Sequence, residues 1–250
     1  MFSLGAATIN KASPQRASAA SNRELPMTAE LIDLTHTFDS NMPFYPGDPA
    51  PRLEKTASIE QSGFNLYCLC SSLHVGTHMD APLHMIGDGA RVSDIHLPRF
   101  FGRGRLVDAR GWTSVKSDLL DDLSLERGDI VAVLTGWYKR FRGPDYYSSF
   151  PEIAPDFATR IADAGVSILA LDTPSPDREP FPVHKILLSR EILIVENLNN
   201  VEALLGCGSF DVIALPTKLE GDAAPVRVIA LPIIPGQGRF LISSLQRYCD

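Results

Sequence analysis

The chain has 250 residues, of which 44% are hydrophobic and 21% charged, and a formal net charge of −7. This length and composition suit one substantial soluble core, and the acidic balance excludes a nucleic-acid groove built on basic residues. No run of 18 apolar residues is present, so no membrane-spanning helix is expected.

Residues 1–28 are rich in Ala and Ser. They read as a disordered tail, or as an upstream extension of a protein that begins at Met27, and their composition is also compatible with a transit peptide. Residues 29–250 then read as one domain, with no linker or internal repeat to divide them. Residues 30–35 predict a short strand, and the four prolines and one glycine of 36–52 predict a loop. Strands are predicted over 65–74, 105–110 and 130–136, with helical spacing over 115–123. A helix over 152–164, ended by Gly165, precedes apolar strands at 166–172, 192–198, 210–216 and 226–232, and a short helix fits 199–205. Helices interleaved with apolar strands imply an α/β fold, and neighbouring strands without a helix between them imply a mixed sheet.

The cysteines, Cys68, Cys70, Cys207 and Cys249, form neither a CxxC pair nor a disulfide framework. They are expected to be mostly buried thiols, in a chain located in the reducing cytoplasm.

Residues 72–84 read SLHVGTHMDAPLH and hold three of the six histidines. His74, His78 and Asp80 are candidate ligands of one divalent cation. A helix would place Asp80 about 200° round from His78. A strand would spread His74 to Asp80 over about 20 Å. Neither lets the three converge, so the backbone has to curl. Gly76 permits positive φ and Pro82 pushes Ala81 out of the helical region. Three protein ligands with open positions is the arrangement of a catalytic metal. A HExxH helix is excluded, because Val75 follows the first histidine.

HVGTHMDAPLH also resembles the HxGTHxDxPxH signature of the cyclase family of metal-dependent hydrolases, which includes bacterial kynurenine formamidases and isatin hydrolases. IDLTHTFDSNMPFYPGDP, VLTGW, LDTPSPD, HKILLSREILIVENL and LPTKLEGDAAPVRVIALP resemble further family blocks in the same order. The resemblance implies a swivelling β/β/α fold, usually in homodimers, and one or two zinc or manganese ions per chain. It implies His74, His78 and Asp80 as primary ligands, His184 and Glu196 as ligands of a second ion, and His84 as the acid–base residue. Taken alone, His184 reads as a histidine at a helix N-terminus and Glu196 as an exposed carboxylate at the end of a strand. Asp172 reads as a group supporting the site from behind or, ahead of that, as a turn residue bonding the backbone that follows it. Two positions depart from the family pattern: Met85 stands where Phe is frequent, and Tyr45 replaces the Trp of a Trp-Pro-Gly-Asp loop.

A bound zinc lowers the pKa of its water to about 7 and can polarise a carbonyl. That chemistry suits an aryl formamide, with N-formylkynurenine going to kynurenine and formate as the best example. Hydrolysis of isatin or a lactone by the same site is the alternative, and a metal-binding protein without turnover is a third. His84 is the candidate proton shuttle, its other reading being a further metal ligand. Phe44 and Tyr45 are the candidate substrate wall, ahead of Phe64, Trp137 and Phe181. Lys218 and Arg227 could hold a substrate carboxylate, or pair with Glu220 or Asp222.

Overall fold

A computed structural model describes residues 31–233; the expectations for residues 1–28 and for Cys249 lie outside them. The strands are β1 (Ile32–Asp33), β2 (Arg52–Ala57), β3 (Leu66–Cys70), β4 (His78–Asp80), β5 (Phe101–Asp108), β6 (Ser114–Val115), β7 (Ile130–Leu134), β8 (Glu152–Ile153), β9 (Ile168–Leu171), β10 (Leu193–Glu196), β11 (Phe210–Pro216) and β12 (Ala223–Pro232). The α-helices are α1 (Ile59–Ser62), α2 (Pro155–Asp163) and α3 (Pro182–Leu188).

The main sheet runs β1-β12-β11-β5-β7-β9-β10-β4, and β12 also pairs with β4, so the sheet closes into a barrel. The β5–β7, β7–β9 and β9–β10 pairs are parallel. The β10–β4, β4–β12, β12–β11 and β11–β5 pairs are antiparallel. The expected mixed α/β sheet is therefore present.

Alternation along the strands divides the core in two. Met79, Ile130, Ala132, Ile168, Leu193, Val195, Phe210 and Val228 share the barrel interior. Val131, Val133, Leu169, Leu171 and Ile194 face outward, under Phe157 and Ile161 of α2 and Val183 and Leu187 of α3. Inside the barrel, Phe210 lies across from Gly104. A Cβ on Gly104 would come within 2.0 Å of that ring, so only glycine admits it.

Several elements differ from the sequence expectation. The 115–123 segment makes only a 3-10 turn over Ser117–Leu120. Asp156 accepts bonds from the Ser117 amide and hydroxyl, and such polar contacts compete with helix continuation. The 199–205 segment is likewise 3-10, over Val201–Gly206. α2 starts at Pro155, because Glu152 and Ile153 pair with Ser114 and Val115, and proline suits a first helical turn. Strand β2 lies just beyond the expected loop and forms a hairpin with β3.

Among the described residues that hairpin has no second layer. Leu66, Tyr67 and Leu69 are 53%, 57% and 53% exposed, and Cys68 and Cys70 are exposed free thiols. The expectation of buried cysteines fails for these two, because none of the described residues covers either face of β3. Cys207 is half-buried.

Candidate metal centre

The loop after β3 curls as the spacing requires. His74 sits in a bend, Gly76 has φ +69°, and β4 begins at His78. In β4, Met79 points into the barrel, so His78 and Asp80 point to the outer, helix-covered face. In β10, Ile194 belongs to that outer layer, and Glu196 shares its face. The antiparallel register sets Glu196 opposite His78. Helix α3, anchored by Val183 and Leu187, delivers His184 from above.

These side chains converge. Asp80 Oδ1 lies 3.0 Å from His74 Nδ1 and 3.4 Å from His78 Nε2, and Asp80 Oδ2 lies 3.9 Å from His184 Nε2. Glu196 faces His78 Nε2 at 3.3 Å with one oxygen and His184 Nε2 at 3.4 Å with the other. The ligand atoms of His74, His78 and Asp80 lie within 4.8 Å of one another, as do those of Asp80, His84 and His184. His184 does lie in the first turn of α3 and Glu196 does end β10, but Glu196 is not exposed: the two are buried, at 3% and 6% exposure.

Outer contacts orient the rings. His78 Nδ1 donates to the Gly76 carbonyl at 2.8 Å. His184 Nδ1 donates to Asp177 at 2.6 Å, and Asp177 also accepts the Val183 amide. Both histidines therefore turn Nε2 to the centre. His74 is turned the other way, with Nε2 on Asp222 at 3.0 Å and Nδ1 inward.

The residues fit a divalent cation. His78 Nε2 and both Asp80 oxygens are buried without a hydrogen-bond partner, a costly state that a cation would relieve. The electrostatics agree. Burial opposes charge on His184, but Asp177 and Glu196 outweigh it and raise the ring to about 10. Burial likewise opposes charge on His74 and His78, and Asp80 prevails at both, with Asp222 helping at His74 and Glu196 at His78. Asp80 is held well below the carboxylate range by the same histidines, against its burial.

The "Putative cyclase" family model matches residues 32–178. A kynurenine formamidase of Bacillus cereus is 31% identical over 215 residues, covering 82% of this chain and 99% of that protein. The chain belongs to the cyclase family. A solved structure described as a potential metal-dependent hydrolase with cyclase activity superposes with TM-score 0.70 at 29% identity, over 82% of this chain and 99% of that one. Isatin hydrolase A of Labrenzia aggregata shares the fold, with TM-score 0.74 at 23% identity over 81% and 93%. The cyclase-family fold expected from the motif blocks is thus present.

Around this cyclase-family centre, Tyr45 is part-exposed and makes an edge contact with Tyr147, centroids 5.8 Å apart. Phe44 is half-buried in the same loop. Phe181 packs edge-on against His184 at 5.6 Å. Phe64 is exposed near the hairpin turn, and Trp137 bonds the Tyr146 carbonyl beneath Arg140; the structure does not bring these two to the cluster.

Sequence reasoning missed three residues. Burial, with the carboxylates of Glu196 and Asp48, raises the Tyr147 phenol, and its ring meets those of Tyr45 in the proline loop and Tyr146. Asp222 gives no local sequence signal, since its histidine partners come from a distant segment, and Asp177 meets His184, seven residues on, only through the turn into α3. Asp222 Oδ2 meets His74 and also His84 Nδ1, at 3.1 Å. The expected pairing of Asp222 with Lys218 or Arg227 is corrected, because Arg227 pairs with Asp33. Asp172 is corrected too: it accepts from the Thr135 amide and hydroxyl and from the Gly136 amide.

Proposed function

We propose that this chain hydrolyses the C–N bond of an aryl formamide, with N-formylkynurenine going to kynurenine and formate as the best example. The carrying observation is the buried cluster of imidazoles and carboxylates in which His78 Nε2 and both Asp80 oxygens lack a hydrogen-bond partner. His74, His78, Asp80, His184 and Glu196 would hold one or two zinc or manganese ions. Asp80 and Glu196 each turn one oxygen toward His78 and the other toward His184, which supports two adjacent positions. When bound, such an ion supplies an activated water and polarises the substrate carbonyl.

The chain's own residues supply the rest. Water adds across the C–N bond, so the formyl carbon gains an oxygen and the departing nitrogen must gain a proton. His84 lies at the edge of the cluster, its ring 4.2 Å from that of His74 and 5.7 Å from that of His184. It is the proton shuttle, taking a proton from the attacking water and returning it to the amine. Phe44 and Tyr45 form the wall for the aryl ring, with Tyr147 behind Tyr45. The likeness to the kynurenine formamidase of Bacillus cereus supports the formamide over a cyclic amide.

The test uses protein loaded with zinc or with manganese and offers N-formylkynurenine, isatin and an aryl lactone. Preferred turnover of the formamide is expected. Preference for isatin or the lactone would move the assignment to cyclic substrates, and bound metal with no hydrolysis of any of them would sink it.

The same reading makes the protein a cytoplasmic homodimer. Among the described residues no helix is long and apolar enough to cross a membrane. The hairpin exposes Leu66, Tyr67 and Leu69, and a two-stranded ribbon is marginal without a covering layer. Sedimentation is expected to show a dimer that Leu69→Glu weakens. A monomeric wild type would overturn this part.

A further inference from the structure

Asp222 lies on the turn between β11 and β12, far in sequence from the residues it meets. One of its oxygens, Oδ2, receives His74 Nε2 at 3.0 Å and His84 Nδ1 at 3.1 Å. The turn is strapped down. The Ala81 amide donates to the Asp222 carbonyl at 2.8 Å, the Val92 amide to Gly221 at 3.0 Å, and the Ser93 amide to Leu219 at 3.0 Å. A Cβ on Gly221 would lie 2.7 Å from Leu73 Cδ1, so the turn sits close against the approach to His74. One of these bonds, from Ala81, ties Asp222 itself to the segment between the two histidines, and the other two hold the turn to residues 92 and 93.

We propose that Asp222 is a positioning residue that couples the metal centre to the proton shuttle through this shared oxygen. The proposal rests on the hydrolase reading given above for the roles of His74 and His84. An acceptor-only carboxylate selects the tautomer of each ring it binds. On His74 it holds the proton at Nε2 and leaves Nδ1 for the centre. On His84 it holds the proton at Nδ1 and leaves Nε2 free to take and return a proton. Carboxylates that orient metal-ligating histidines are worth about 10–100-fold in metal affinity. Here one such group also governs the residue that moves the proton.

The test compares wild type with Asp222→Ala and Asp222→Asn. Zinc affinity is read by chelator competition, and the His84 tautomer by nitrogen NMR of the zinc-loaded protein. Turnover of the best formamide substrate is the third readout. In wild type, His84 is expected to carry its proton on Nδ1. In Asp222→Ala, both tautomers appear, zinc is held about tenfold more weakly, and kcat falls more than about tenfold while KM changes less than about twofold. Asp222→Asn restores the tautomer, because its amide oxygen can accept where Oδ2 does; Asp222→Leu, which removes the acceptor at similar volume, is read in the same way as the alanine variant and carries the test if that variant does not fold. A merely structural role would not move the tautomer. An unchanged tautomer or unchanged zinc affinity in Asp222→Ala would overturn the proposal. So would loss of a whole equivalent of zinc, which would make Asp222 a ligand. If no formamide is hydrolysed by wild type, the hydrolase reading fails, and the tautomer and affinity still decide the coupling.

Discussion

His78 and Glu196 stand directly opposite one another across the antiparallel β4–β10 pair, and their side chains meet at 3.3 Å. Cross-strand neighbours on one face are about 4.5–5.5 Å apart at Cβ, so this register alone brings an imidazole and a carboxylate together. Asp80, two residues on, falls on the same face. A shift of one residue would turn Glu196 into the barrel and empty the site.

The two kinds of histidine separate by variant. His78→Ala removes a buried ring aimed at the cluster, and the purified variant is expected to lose its metal on desalting. His84→Ala keeps its metal and turns over at least about tenfold slower. Metal analysis beside initial rates checks both; wild-type turnover in His84→Ala would remove His84 from the mechanism.

Metal uptake displaces protons. In the metal-free protein His184 is raised to about 10, with His74 and His78 also raised, against their burial. A raised histidine pKa means that the proton persists to higher pH and competes with a cation. Apparent affinity is expected to rise from pH 6 to pH 8, with protons released on binding. Calorimetry in buffers of different ionisation enthalpy reads the release directly. A binding enthalpy that does not depend on the buffer would refute it.

Gly76→Ala tests the curl. Gly76 has φ +69°, and a Cβ there would sit 2.3 Å from Met42 Cε. The methionine end can move, but the left-handed backbone costs a non-glycine residue about 1–2 kcal/mol. The variant is expected to melt several degrees lower and to bind metal more weakly. An unchanged melting temperature would show that the loop does not need glycine.

Asp172 is a buried carboxyl raised by burial to about 6, despite the Thr135 and Gly136 bonds that favour its charge. An acid whose folded pKa lies above its unfolded value binds more protons when folded. Its contribution therefore favours the fold below about pH 4 and is lost as pH rises through about 6, by about 3 kcal/mol in all. Relative to Asp172→Asn, wild type is expected to gain stability as pH falls from 7 to 5. Denaturant melts at both values check this; a difference that stays constant would refute the shift.

Much of this protein was legible in its sequence. The apolar runs ILAL and LIVE marked strands buried on both faces, and they are buried throughout. The close spacing of His74, His78 and Asp80 with Gly76 demanded a curled segment, because neither regular period could make them converge. The hairpin partner β2 was not legible, since RLEKTA has little apolar content. Nor was the exposure of Cys68 and Cys70, because a strand-like pattern does not say whether anything packs on it.

Local chemistry therefore determined which segment could hold a cation and that strands and helices would alternate. Tertiary structure decided which distant groups complete the site: Glu196 by strand register, His184 and Asp177 by the packing of α3, and Asp222 by a strapped turn. The physical reason is range. Backbone sterics and residue spacing act over a few positions and can be read along the chain. A carboxylate meets a histidine from another segment only after the barrel has closed and buried both.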